Sequence, residues 1–356
     1  MNDDDRQFQQ HLLQGVARTF ALTIPQLPSA LRDVVANAYL LCRIADTIED
    51  ESAIPVDEKC VLVKLYLGAL DNTVDPAVFA GRFRDLISAQ RPVAEKKLID
   101  DIPRVIAITH NFSDTQQAAL RRCVGVMSRG MTYYQANASL GGLDNLRQLD
   151  NYCYHVAGVV GEMLTELLCE YSPGMAPQKQ ELMLLSVSFG QGLQMTNILK
   201  DIREDYARGV CWLPRDVFQQ AGFDLDHYPE RVASGKFVTG IQSLLGICHA
   251  HLRNASRYIE LIPAHESGLR KFCFWAVGMA LLTLGNINRN PAYKKSSQIK
   301  IGKLKLLMVI AVSGLVCRSN TLIRFVLKFW SKGLPPAVTV STNTERRHVE
   351  EWFDRK

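Results

Sequence analysis

Apolar positions recur along this chain at spacings of three and four. No stretch alternates clearly with period two, so the pattern predicts helices throughout and an all-α fold. Val16–Phe20 precedes a break marked by Pro25 and Pro28, and helix resumes near Ser29 and runs through Asp50, stopping before Pro55. Amphipathic segments follow at about Val56–Leu70 and Ala77–Ala89, the second opened by Asp75-Pro76, a pairing suited to a helix start. The segment Ala94–His110 carries Pro103 near its middle, where a ring without an N–H kinks or breaks a helix. Long periodic runs then cover Ser113–Asn137, Leu146–Tyr171, Pro177–Tyr206, Gly235–Leu261 and His265–Asn288. Gly158 and Gly161 lie inside one of these, each costing about 1 kcal/mol relative to alanine, so a neighbouring helix or a ligand is expected to approach closely there. His155 beside them reads as a structural histidine. The simplest organisation is one all-helical domain over residues 1–330, followed by a polar tail over 331–356 that ends in a short helix.

Composition narrows the class. The chain has 356 residues, 47% of them hydrophobic, and a net charge of +5. That is long enough for a large core. Neither the charge nor any aromatic-studded basic strand or zinc-finger spacing suggests a nucleic-acid partner. A modest positive charge suits anionic substrates or an anionic membrane surface. The nine cysteines form no C-x-x-C pair and mostly sit in apolar helical runs, which reads as a reducing, cytoplasmic compartment. The acidic start, Asp3-Asp4-Asp5, is the opposite of a secretory or transit leader. The apolar run Leu306–Val316 falls short of the roughly 20 residues of a bilayer span. With flanking Lys and Arg and the later Phe325, Phe329 and Trp330, it suits an interfacial helix peripheral to the cytoplasmic membrane face. It suits a last core helix with a basic outer face equally well. Nothing in the pattern calls for an obligate protein partner.

The chemistry concentrates in two stripes. Asp46, Glu49 and Asp50 share a helical face, with Arg43 and Tyr39 one and two turns earlier. The same spacing, D-x-x-E-D, returns at Asp201, Glu204 and Asp205, preceded on that face by Gln194 and Asn197. Clustered carboxylates repel and resist burial unless cations neutralise them. Oxygen-only donors suit hard cations, and Mg2+ typically joins one or two carboxylates to substrate phosphates. Imidazole and thiolate are missing from both stripes, which argues against zinc. The paired Glu-x-x-His motifs of a di-iron bundle are also missing. A helical scaffold without catalysis is disfavoured because all six carboxylates are present.

These motifs resemble the head-to-head trans-isoprenyl synthases, the squalene/phytoene synthase family. The residues that carry the resemblance are Asp46 through Asp50, Tyr152 through Gly161, and Gln194 through Asp205, within a likeness that runs from about Arg18 to beyond Met308. Phe272-Cys273, Met279-Ala280 and Lys300-Ile301-x-Lys303 are most similar to the squalene-forming members and their NADPH-contacting region. The resemblance implies a helical isoprenoid-synthase fold around a central cavity. It implies Mg2+-dependent coupling of two farnesyl diphosphates to presqualene diphosphate, then reduction to squalene by NADPH; Mn2+ is an alternative metal. Coupling without reduction, to dehydrosqualene or phytoene, is the other activity in the family. By the same resemblance Asp46, Glu49, Asp50, Asn197, Asp201, Glu204 and Asp205 hold metal. Arg18, Thr19, Phe20, Arg43, Gln194, Asn197, Lys200, Arg208, Lys300 and Lys303 contact diphosphate or NADPH. Tyr152, Tyr39, Arg43 and Phe272 are the catalytic residues the resemblance implies, with Tyr152 as acid/base and cation stabiliser. Gly302 stands where a second basic residue often follows the Lys300 position, leaving Lys303 or Lys305 to replace it.

Overall fold

The structure is a computed structural model that describes residues 1–17, 20–340 and 346–356. Among the described residues it is all-α, with one isolated backbone bridge, Leu143 to Pro214, and no strand. The chain divides into two compact units.

The first unit comprises Met1–Ala136, Glu162–Pro173 and the C-terminal stretch ending at Lys356. Its central helix, Ser29–Asp50, buries Val34, Leu40, Leu41 and Ile44 completely. Around it pack Asp3–Val16, Val56–Leu70, Ile102–Thr109 and Asp114–Ala136. A buried polar tie fixes one contact: Asn37 donates to the Val105 carbonyl at 3.0 Å and accepts from Thr109 Oγ1 at 2.8 Å. Asp75 caps the helix Pro76–Leu86 by accepting from Ala77 N at 2.9 Å. The expected break near Pro103 falls at Asp101, between Val93–Asp100 and Ile102–Thr109, with Pro103 in the first turn of the second helix, where its missing N–H costs nothing. The C-terminal helix Arg347–Asp354 buries Val349 and Phe353 and packs Trp352 edge-on to Tyr133, ring centroids 5.4 Å apart.

The second unit comprises Asn137–Gly161 and the stretch from Gly174 that includes the helices up to Trp330. The 29-residue helix Lys179–Ala207 lies against Gly235–Leu261, Leu146–Cys153 and Ser267–Arg289. The expected continuous helix Leu146–Tyr171 is interrupted: Tyr154–Gly158 winds as a π-turn before the α-helix Val159–Tyr171. Its glycines answer to a neighbouring helix. A Cβ on Gly161 would lie 2.2 Å from the Ser186 carbonyl oxygen, and one on Gly190 2.2 Å from that of Ala157. His155 is buried, with Nδ1 2.7 Å from the Asn151 carbonyl, as a structural histidine should be. Ser267–Arg289 is long and apolar enough to cross a membrane by length and composition, but 67% of its most apolar window is buried in protein, as in a core helix. None of the nine cysteines is in a disulfide, and eight are buried.

Candidate active site

In the first unit the acidic stripe occupies the C-terminal end of Ser29–Asp50, with Asp46 and Glu49 half-buried and Asp50 exposed. A helix C-terminus is negative and leaves carbonyls without partners. The buried Lys59 answers both conditions, with Nζ 2.5 Å from the Glu49 carbonyl oxygen. Burial lowers the Lys59 pKa, opposed by the charges of Glu49, Asp50 and Glu51. Arg43 is held inside a carboxylate network: Nη2 donates to Glu95 Oε1 at 2.6 Å, and Nη1 lies 3.7 Å from Asp46 Oδ2. Arg91 links the other Glu95 oxygen, at 3.0 Å, to Glu51, also at 3.0 Å. Arg43 Nε is buried and makes no hydrogen bond among the described residues. Burial pushes the Asp46 carboxyl up to about 7; Arg43 pulls it back, and the charges of Asp50 and Glu95 add to the rise. One turn before Arg43, Tyr39 donates to the Val16 carbonyl at 3.2 Å and meets the half-exposed Phe20 ring at 5.3 Å between centroids. Burial raises the Tyr39 phenol to about 12, so it keeps its proton at neutral pH.

In the second unit the other stripe occupies the end of Lys179–Ala207. Lys200 Nζ bridges Asn197 Oδ1 at 3.0 Å and Asp201 Oδ2 at 3.1 Å. Asp205 is buried and accepts from Arg208 Nη2 at 2.5 Å. Burial opposes ionisation of Glu204, but hydrogen bonds from Ser296 and the charge of Lys300 outweigh it, and its pKa falls below the ordinary value. The segment after Ser267–Arg289 is pinned beside this stripe by Tyr293, whose hydroxyl donates to the Leu199 carbonyl at 2.7 Å. Lys300 and Lys303 are exposed on it, whereas Lys305 is tied to Asn286 Oδ1 at 2.9 Å.

Tyr152 is buried with its ring stacked on Trp212, centroids 4.1 Å apart and planes 15° apart. Trp212 is delivered by the loop 208–214, laced to the loop before Leu146–Cys153. Cys211 N donates to Ser139 O at 2.9 Å, Leu143 N to Leu213 O at 2.9 Å, and Arg215 N to Leu143 O at 2.8 Å. Gly142 makes this lacing feasible: at φ +85° it holds a conformation few side chains tolerate, and a Cβ there would lie 2.4 Å from Leu213 O.

Phe20, Tyr39, Arg43, Asp46, Glu49 and Asp50 thus fall in the first unit. Tyr152, Gln194, Asn197, Lys200, Asp201, Glu204, Asp205, Arg208, Phe272, Lys300 and Lys303 fall in the second, Phe272 being buried in Ser267–Arg289. Arg18 and Thr19 lie outside the described residues. Sequence reasoning missed Glu95, Arg91, Lys59, Ser296 and Trp212. Each reaches the site from another element, so helical spacing carries no signal of it; only the Trp in a Pro-ended loop was open to suspicion.

Among the described residues no three His, Cys, Asp or Glu side chains converge closely enough to hold a metal ion by themselves. The donors present are oxygens only. This fits Mg2+, which accepts one or two carboxylates and completes its shell with substrate oxygens and water.

The squalene/phytoene synthase family profile matches residues 13–305. A squalene synthase from Eremothecium gossypii is 28% identical over 299 residues, 82% of this chain and 64% of that protein. One from Schizosaccharomyces pombe is 25% identical over 302 residues, 84% and 63%. One from Saccharomyces cerevisiae is 29% identical over 285 residues, 78% and 61%. The chain therefore spans a little under two thirds of the length of these relatives. Among solved structures, TcSQS in complex with the ligand BPH1237 superposes with a TM-score of 0.79 at 22% identity, covering 99% of this chain and 97% of that one. A dehydrosqualene synthase in complex with a ligand gives 0.65 at 20%, covering 88% and 96%. These likenesses establish a shared all-α fold.

Proposed function

The chain belongs to the squalene/phytoene synthase family, and we propose that it joins two farnesyl diphosphates head to head and reduces the product to squalene. The observation that carries this reading is the pair of D-x-x-E-D stripes at the ends of two long helices, each with a cation fastened to its first aspartate: Arg43 to Asp46 and Lys200 to Asp201. The names of the relatives, squalene synthases aligned over most of this chain, support the substrate class.

Asp46, Glu49 and Asp50, and Asn197, Asp201, Glu204 and Asp205, are the groups to hold Mg2+. When bound, the metal neutralises the diphosphate and makes it a competent leaving group. Arg43 adds fixed positive charge where the leaving oxygen gains negative charge. In the first half-reaction one diphosphate and one proton leave as two C15 chains join in presqualene diphosphate. The second expels the remaining diphosphate, and a hydride completes the C30 hydrocarbon. Lys300 and Lys303, exposed beside the second stripe, suit the phosphates of NADPH, whose part is to supply that hydride. Tyr152 and Phe272 offer apolar, π-rich surface to the cationic centres, and their burial keeps out water that would quench a cation to an alcohol. Tyr152 is the proposed acid/base, with Tyr39, whose hydroxyl donates to Val16 O, as the alternative. Nine cysteines without a disulfide agree with a cytoplasmic setting for this activity.

The test is direct. Purified protein is given farnesyl diphosphate and Mg2+ with and without NADPH, and products are read by mass. Presqualene diphosphate without NADPH and squalene with it are expected. Dehydrosqualene in both reactions would replace the reading by non-reductive coupling, and no C30 product would overturn it.

A further inference from the structure

Both ends of the first carboxylate stripe are fastened to the same neighbouring segment. Arg43, one turn before Asp46, donates from Nη2 to Glu95 Oε1 at 2.6 Å, and Glu51, the residue after Asp50, accepts from Arg91 Nε at 3.0 Å. Arg91 Nη1 donates to Glu95 Oε2 at 3.0 Å, which closes a line of alternating charge from Arg43 through Glu95 and Arg91 to Glu51. Glu51 also accepts from the backbone N–H groups of Ser88 at 3.1 Å and Ala53 at 3.3 Å, so the far end of the line is anchored to main chain. The four side chains are largely withdrawn from water: Glu51 is 4% exposed, Glu95 12%, Arg91 14% and Arg43 23%.

Stability is a poor reason for such a line. Withdrawing charges from water carries a desolvation cost that can exceed the attraction between partners, and apolar packing often does as well. What the line supplies is position, because a guanidinium fork bonded to a carboxylate has a fixed direction. Its charges cancel, two Arg against two Glu, so the demand of Asp46, Glu49 and Asp50 for cations stays in place. It also governs where Arg43 points. With Nη2 committed to Glu95, Nη1 stops 3.7 Å from Asp46 Oδ2, beyond hydrogen-bond reach. Without Glu95, the ion pair left to Arg43 among the described residues is the one with Asp46, three positions along the same helix. The guanidinium would then close on Asp46, covering an oxygen that a metal needs and withdrawing N–H groups that a diphosphate would use.

We propose that Glu95 is a positioning residue for the diphosphate site: through its bond to Arg43 it holds the guanidinium off Asp46, so that Asp46 stays open to metal and Arg43 to phosphate oxygens. This rests on the catalytic reading above, and the experiment separates the two. Inorganic pyrophosphate is titrated by calorimetry, in the presence of Mg2+, into the full-length wild type, Glu95→Gln, Arg43→Gln and the double variant. Glu95→Gln should bind about tenfold more weakly than wild type, and adding it to Arg43→Gln should change little, because residues in one ion-pair line are coupled. Circular dichroism melts report whether each variant is folded. Glu95→Asp retains the charge but is one methylene short of bridging both arginines, and should weaken binding in the same direction. In the first half-reaction Glu95→Gln should raise the KM for farnesyl diphosphate as well as lower kcat, whereas a loss of folded protein lowers kcat alone. Binding by Glu95→Gln equal to wild type would overturn the proposal. So would the same loss in the Arg43→Gln background as in the wild type, which would make Glu95 a remote charge. A wild type that bound no pyrophosphate and formed no C30 product would overturn the catalytic reading, and the proposal with it.

Discussion

Tyr152 and Trp212, sixty residues apart in sequence, lie ring on ring at 4.1 Å in the buried interior of one unit. One face of the Tyr152 ring is therefore committed to Trp212. Tyr152→Phe keeps the stack and removes only the hydroxyl, so it isolates the proton-transfer role. General acid–base help is worth about 10²–10⁴-fold, and a loss of that order in presqualene diphosphate formation is expected, with the melting temperature little changed. A near-wild-type rate would leave Tyr152 a packing residue. A Tyr39→Phe variant that alone lost this step would move the proton to Tyr39.

Metal dependence follows from the all-oxygen stripes. Activity should disappear with a chelator and return with Mg2+ or Mn2+. Asp46→Asn and Asp201→Asn should each lower turnover by about 10²-fold or more, with helix content unchanged by circular dichroism. Full turnover in excess chelator would refute the assignment.

Lys300 and Lys303 separate the half-reactions. The double substitution to alanine should raise the KM for NADPH and slow squalene formation, leaving presqualene diphosphate formation within a few-fold of wild type. Lys300 also helps hold Glu204 ionised, so the single Lys303→Ala variant gives the cleaner reading. Equal loss of both steps would remove NADPH from this segment.

Asp150 makes stability depend on pH. Burial pushes its carboxyl up to about 7, the negative Asp216 adds to the rise, and Oδ1 is buried without a hydrogen-bond partner among the described residues. Between about pH 4 and 7 the unfolded chain has released this proton while the native chain retains it. Stability from this group therefore falls as pH rises through that window and levels off above it. Asp150→Asn should flatten this limb of the stability–pH curve measured by urea unfolding. An unchanged slope would show that Asp150 titrates normally.

Gly161 tests the close helix approach. Its substitution to alanine sets a Cβ against the backbone oxygen of Ser186, an atom that cannot rotate away. Overpacking of this kind costs about 1–3 kcal/mol, read as a lower urea midpoint with m unchanged. An unaltered midpoint would mean that the two helices separate freely.

Most of the helices and both carboxylate stripes were legible in the sequence because their cause is local. A spacing of three and four puts Asp46, Glu49 and Asp50 on one face wherever the helix goes, and Asp75-Pro76 starts a helix by its own chemistry. Val56–Leu70 and Gly235–Leu261 match the periodic runs end for end. Among the elements that escaped are the Asp3–Val16 helix, whose polar sequence hides its few buried positions, the short helix Arg215–Gln220, and the π-turn at Tyr154–Gly158, which inserts a residue that periodicity does not register. The partners of the functional groups belong to tertiary structure alone. Glu95 reaches Arg43 across 52 positions, Trp212 reaches Tyr152 across 60, and Ser296 reaches Glu204 across 92. A helix repeat fixes which side chains leave a helix together, but what they meet depends on loop closure and on the packing of distant elements, for which local spacing carries no information.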